Sequence, residues 1–194
     1  AMAAQGFNRD GAAEKLRRFL EIVYKYRPVN CGDMKTGNGI QVGYKAVLDG
    51  IQDNSIVHGV FTDCGTVSKV LDDLRREDLG VSVVVSGLLE HVDKCCRDAE
   101  LNRHTVEYSL GILGDTDRLP EREVLEISTM CGHGMVSFNL VKSMAEKVEK
   151  GSITADEAAK KLAANCHCGV VNPRRAAMLL KKMAYRASNH CGRS

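Results

Sequence analysis

Ile56-Val57-His58-Gly59-Val60-Phe61, the helical pattern from Thr66 to Arg76, and Val81-Ser82-Val83-Val84-Val85 together decide the fold class. The first run reads as a strand. The second has apolar positions at helical spacing, and the third has the composition of a strand buried on both faces. Strand, helix and strand in succession predict a small mixed β-sheet with helices packed on it, an α/β protein.

Working outward, residues 11–26 carry Ala12, Leu16, Phe19, Leu20 and Val23 on one helical face, with Asp10 as N-cap and Pro28 beyond the end. Cys31 to Gly43 has four glycines in thirteen residues and reads as loop, ahead of a short helix at Tyr44–Ile51. Thr36-Gly37-Asn38-Gly39 is glycine-rich but lacks the strand context and spacing of a dinucleotide fingerprint. Leu88–Ala99 reads as a helix, with Cys96 on its Leu89/Val92 side. Thr105–Leu113 and Glu123–Met130 read as two further strands joined by a turn near Asp115–Pro120.

The last third is helical. One helix spans about Met135–Lys150 and stops at Gly151. Thr154-Ala155-Asp156-Glu157 is a capping box that opens the next, ending near Cys166. Asn172-Pro173 starts a third, with Ala176, Leu180, Met183 and Ala187 as its buried stripe. The expected organisation is one domain over 1–194, with an α/β part at 11–134 and a helical part at 135–187.

Composition narrows the function classes. Of the 194 residues 44% are apolar and 27% charged, and there is no Trp, so the core rests on aliphatic side chains. The net charge of +2 argues against nucleic acid as a partner and against membrane-surface attraction. No apolar run approaches the length of a membrane span, and Ala1–Arg9 has no apolar secretory core, so a cytoplasmic location is expected. Charge is uneven only at the end: Pro173–Ser194 holds six Lys and Arg and no acid, a solvated helix face or a docking face for an acidic partner.

Eight cysteines are the anomaly. Cys131, in Met130-Cys131-Gly132-His133-Gly134, stands between an expected strand and an expected helix, where unpaired N–H groups stabilise a thiolate. Gly132 and Gly134 would let a ligand approach the backbone, and His133 adds a titratable group beside the thiol. Cys64-Gly65-Thr66 repeats the strand-to-helix setting. Cys166-His167-Cys168-Gly169 places soft donors in a loop that can wrap a metal. Cys131, Cys166, Cys168 and one of Cys95 and Cys96 would supply four thiolates, the complement of a four-iron iron–sulfur cluster, with zinc as the alternative. Cys31 and Cys191 carry less signal, and His58, His104 and His190 read as ordinary histidines.

The turn Met130–Gly134 resembles the catalytic-cysteine motif of the proline racemase family, and Cys64-Gly65-Thr66 is similar to that family's second cysteine motif. The resemblance implies two thiols, Cys131 and Cys64, acting as acid and base on the α-carbon of a small carboxylate, with the Cys131 turn holding the carboxylate.

Three functions follow. The first is a cytoplasmic iron–sulfur or other metal-thiolate protein serving a small substrate or a redox partner. The second is a cofactor-free thiol enzyme with Cys131, His133 and Cys64 as its catalytic groups. The third is a non-catalytic accessory protein that docks through Arg174, Arg175, Lys181, Lys182 and Arg186.

Overall fold

The computed structural model describes residues 2–3 and 6–191, with side chains described from 6 to 188. Its elements are β1 (Met2–Ala3), α1 (Ala12–Lys25), β2 (Asn30–Asp33), β3 (Gly37–Asn38), α2 (Gly39–Val42), α3 (Tyr44–Asp49), β4 (Ile56–Val60) and α4 (Cys64–Glu77). There follow α5 (Leu89–Asp98), α6 (Arg122–Ser128), α7 (Phe138–Glu149), α8 (Ala155–Ala164) and α9 (Pro173–Cys191), with short 3-10 turns at Gly6–Asn8 and Thr116–Arg118. This is an α/β fold, a small sheet flanked by helices with a helical C-terminal third.

The sheet runs β1-β4-β2-β3, and each of its pairings is antiparallel. Asn30 lies opposite Val60 and Asp33 opposite Val57. All four residues of β2 are buried, so the segment expected as loop supplies a central strand and the hairpin that follows it. Asp33 makes this hairpin: its carboxylate accepts from Thr36 N, Thr36 Oγ1, Ser55 Oγ and Ile56 N.

Three expected strands are not formed as expected. Val81–Val85 is extended but makes only an isolated bridge at Val83; Val81, Val83 and Val85 turn inward while Val84 is exposed. It therefore lies one-faced on the helices instead of buried on both faces. Glu123–Met130 is mostly helix α6, because Val124, Ile127 and Cys131 recur at i, i+3 and i+7 and all three are buried. Thr105–Leu113 has strand-like alternation but no regular structure among the described residues, and Tyr108, Leu110 and Leu113 stay largely exposed. Alternation alone does not make a strand when no partner edge is offered.

The remaining helices follow their sequence signals. In α1 the five expected apolar residues are buried, together with Ile22. Its cap comes from elsewhere: Gly11 occupies the N-cap position, and the Asp53 carboxylate accepts from Gly11 N and Ala13 N in place of Asp10. Thr154 and Glu157 form the capping box of α8, and Asn172 Oδ1 accepts from Arg175 N at the start of α9.

Two apolar cores result. One joins α1, α3, β4 and α4 around Leu16, Leu20, Val47 and Val57. The other joins α6 to α9 around Ile127, Val141, Leu162 and Leu180, and includes Cys131, Cys166 and Cys168. Backbone meets backbone where the sheet touches the helical part. A Cβ on Gly32 would stand 2.6 Å from the Cys168 carbonyl oxygen, and one on Gly169 would stand 2.4 Å from the Cys31 carbonyl oxygen. Gly169 also has φ +78, which disfavours any side chain there. Asn30 Nδ2 donates to the Val171 carbonyl across the same seam at 3.0 Å.

Gly169→Ala is therefore expected to lower stability by about 3 kcal/mol, from overpacking and backbone strain acting together. Urea unfolding of the variant beside the parent chain measures this directly.

Candidate metal centre

The turn after α6 and the turn after α8 bring three thiols and an imidazole together. Cys131 Sγ lies 3.5 Å from Cys168 Sγ and 3.3 Å from His133 Nδ1. Cys166 Sγ lies 3.5 Å from Cys168 Sγ. Ligand atoms of Cys131, His133 and Cys168 all fall within 4.8 Å of one another, a group that could hold a metal ion. The three cysteines are buried and His133 is exposed.

Local sequence explains the geometry. Cys131 sits on the apolar stripe of α6, one turn past its end. The Ser128 hydroxyl donates to the Val136 carbonyl and so closes the loop that carries Cys131 and His133. Gly134, at φ +67, turns the chain with its N–H bonded to the Cys131 carbonyl. After α8, Cys166 N bonds to the Ala163 carbonyl and Gly169 N to the Cys166 carbonyl, a tight turn that points both sulfurs inward.

The electrostatics ties two of these thiols together. A hydrogen bond from Cys168 holds the Cys166 thiol down at about 5, with help from the N–H groups of Val171 and Val170. Cys168 is pushed up in turn, chiefly by its bond to the Cys166 thiolate and then by burial. The two thiols thus titrate as a pair, with Cys166 pulled down and Cys168 pushed up. Cys131 is also pushed up, by burial above all. Cys131 was expected at a helix N-terminus with a stabilised thiolate. It instead follows a helix, and α7 begins seven residues later, capped by Ser137.

The other sequence candidates are placed elsewhere. Cys95, not Cys96, is the buried member of its pair; it packs with Cys64, Leu71 and Ala99 in a separate small cluster. Cys64 therefore lies with Cys95, and among the described residues no contact joins it to Cys131. Cβ atoms on Gly132 or Gly134 would meet nothing within 4 Å, so the space above that turn is open. His167 is exposed and its ring lies against Gly37. Cys31 is a buried thiol in β2, pushed up to about 11 by burial. The side chains of His190 and Cys191 lie outside the described residues. The cations of α9 are largely engaged within the chain: Arg175 with Glu126, Lys181 with Asp156, and Lys182 and Arg186 with Glu123.

No family model, no curated protein and no solved structure matches this chain. The likeness to the proline racemase motif thus rests on its few local residues. Among the described residues, no helix is long and apolar enough to cross a membrane.

Two supporting residues were not singled out in the sequence. Asn38 is fully buried; its Nδ2 donates to the Ala164 and Cys166 carbonyls at 3.1 and 2.9 Å, and its Oδ1 accepts from Ile40 N and Gln41 N. It ties the β3 hairpin to the Cys166 turn. Its signal was the Thr36–Gly39 run, a glycine-flanked Asn in a turn. His58, on β4 opposite Gly32, is the second. Its Nδ1 is buried without a hydrogen-bond partner, and burial drives its pKa from 6.5 to about 4, against the opposing pull of Asp33 and the Cys168 carbonyl.

Both residues give measurable outcomes. Asn38→Ala leaves buried backbone groups unpaired and is expected to cost about 2–3 kcal/mol in urea unfolding. Because the folded pKa of His58 lies below its unfolded value, the unfolded chain takes up its proton first. Stability is complete above about 6.5 and falls as pH drops from 6.5 toward 4. The loss reaches roughly 3 kcal/mol, and His58→Leu should remove that part of the pH slope.

Proposed function

We propose that this chain is a metal-thiolate protein that holds a single tetrahedral zinc ion through Cys131, Cys166, Cys168 and His133. The observation that carries this is the spacing of the sulfurs, 3.5 Å between Cys131 and Cys168 and between Cys166 and Cys168. Sulfurs around one tetrahedral zinc at about 2.3 Å stand about 3.8 Å apart along each edge. A four-iron cluster, held by four cysteines or by three with one iron open to substrate, instead binds each thiolate to a different iron, which spreads the sulfurs. Cys95 and Cys96, the expected sources of that fourth thiolate, lie with the α4–α5 pair.

The donor set suits the ion. The Cys166 thiol is pulled down by its neighbours, and N–H groups of Val170 and Val171 point at its sulfur as they would at a metal-bound thiolate. Binding zinc displaces the thiol protons and gives the buried charge a counter-ion. The ion fastens the α6–α7 turn to the α8–α9 turn, so its first consequence is stability of the helical part. Its exposed ligand, His133, is the one position where a solvent or substrate atom can replace a protein atom, as a catalytic zinc requires. A small substrate or a redox partner would meet the centre at that point.

Metal and acid-labile sulfide analysis of protein purified without oxygen tests the reading. One zinc per chain without sulfide is expected; iron with equimolar sulfide would replace zinc by a cluster. Cys131→Ser, Cys166→Ser and Cys168→Ser should each abolish tight binding, whereas His133→Ala should weaken it and leave the ion in place at saturating zinc. Acidification should release the metal as protons compete for the thiolates.

A further inference from the structure

The other cysteine cluster has its own chemistry. Cys64 is the first residue of α4 and half-buried, and Cys95 lies buried on α5, which packs against α4. Cys95 Sγ donates to the Cys64 carbonyl at 3.3 Å, and Cys64 Sγ donates to the His91 carbonyl, one turn before Cys95, at 3.4 Å. Cys64 packs against the small buried cluster that contains Cys95. From these contacts we infer that Cys64 and Cys95 form a dithiol site that closes to a disulfide by exchange with low-molecular-mass disulfides.

Access and proximity divide the work between the two sulfurs. Cys64 is the one that solvent reaches, so it meets the incoming disulfide. Its thiolate attacks one sulfur of RSSR, the S–S bond breaks, and the leaving RS⁻ takes a proton. The mixed disulfide on Cys64 is then attacked by the Cys95 sulfur, which forms the Cys64–Cys95 bond and expels the second RS⁻. Two thiols thus lose two electrons and two protons, and RSSR gains both as two RSH.

Cys95 Sγ already lies 3.3 Å from the Cys64 carbonyl oxygen, so the second step joins side chains that are neighbours in the reduced state. Cys96, the adjacent thiol, points about 100° away around α5 and takes no part. The closed bond pins α5 to the start of α4, and with it the extended Val81–Val85 segment, whose Val83 and Val85 pack on the same small cluster. The site shares no residue with the metal centre, so each can fail without the other.

Treating the full-length, metal-loaded protein with oxidised glutathione, then alkylating and peptide mapping under denaturing conditions, tests this. The expected product is a Cys64–Cys95 linked peptide, with two hydrogens lost, no glutathione retained and metal content unchanged. Cys95→Ser should trap glutathione on Cys64, and Cys64→Ser should abolish the reaction at Cys95. Glutathione that stays on Cys64 in the parent chain would overturn the inference. So would a Cys64–Cys96 link, or a Cys64 left unmodified while other cysteines react. Mapping of the parent chain alone decides these outcomes if a variant does not fold.

Discussion

The structure depends on one contact made without side chains, the backbone of Cys31–Gly32 lying against the backbone of Cys168–Gly169. Each glycine is needed because a single methyl would fall inside the van der Waals radius of the opposite carbonyl. Such a seam leaves polar backbone groups in a buried place, and these groups must find partners. Asn30 and Asn38 supply them from the sheet side, reaching the Val171, Ala164 and Cys166 carbonyls. The α8–α9 turn is therefore fixed to the sheet at both its ends. Cys166 and Cys168 inherit that rigidity, and only the loop carrying Cys131 and His133 is left to close on them.

That seam also explains what the sequence discloses and what it conceals. Helices announce themselves locally: the Thr154/Glu157 capping box, the Asn172-Pro173 start and the apolar stripe of α1 are written within a few residues of where they act. β2 is different. Asn-Cys-Gly-Asp has no strand propensity, and it becomes a strand because β4 pairs with it and the helical part covers it. Glu123–Met130 misleads in the opposite sense. Its Val and Ile suggest a strand, yet their spacing of three residues, with Cys131 four further on, is helical, and packing on α7 and α9 follows the spacing.

The cysteine grouping was legible in part. That Cys131 and Cys168 belong to a group that could hold a metal was legible from their turns and glycines. Which further groups join them was not, because contacts between residues more than thirty positions apart depend on the tertiary fold. The choice between Cys95 and Cys96 shows the mechanism. The stripe through Leu89 and Val92 selects Cys96, but α4 covers the adjacent side of α5, where Leu71 meets Cys95 and Ala99. Burial is a property of the neighbour as well as of the helix.

The two cysteine groups differ most in the sign of the backbone dipoles around them. At Cys166 and Cys168 the chain turns its N–H groups toward sulfur, from Val170 and Val171. Positive ends of dipoles point at a place where negative charge gathers. At Cys64 and Cys95 the sulfurs face carbonyl oxygens, those of His91 and Cys64 itself. Each thiol hydrogen there has a carbonyl acceptor, and burial pushes the Cys95 thiol up. A metal there would take both sulfurs from their carbonyl partners, whereas a disulfide, being neutral, leaves no charge for the site to hold. The same side chain is thus assigned two chemistries by the direction in which its neighbours' peptide groups point.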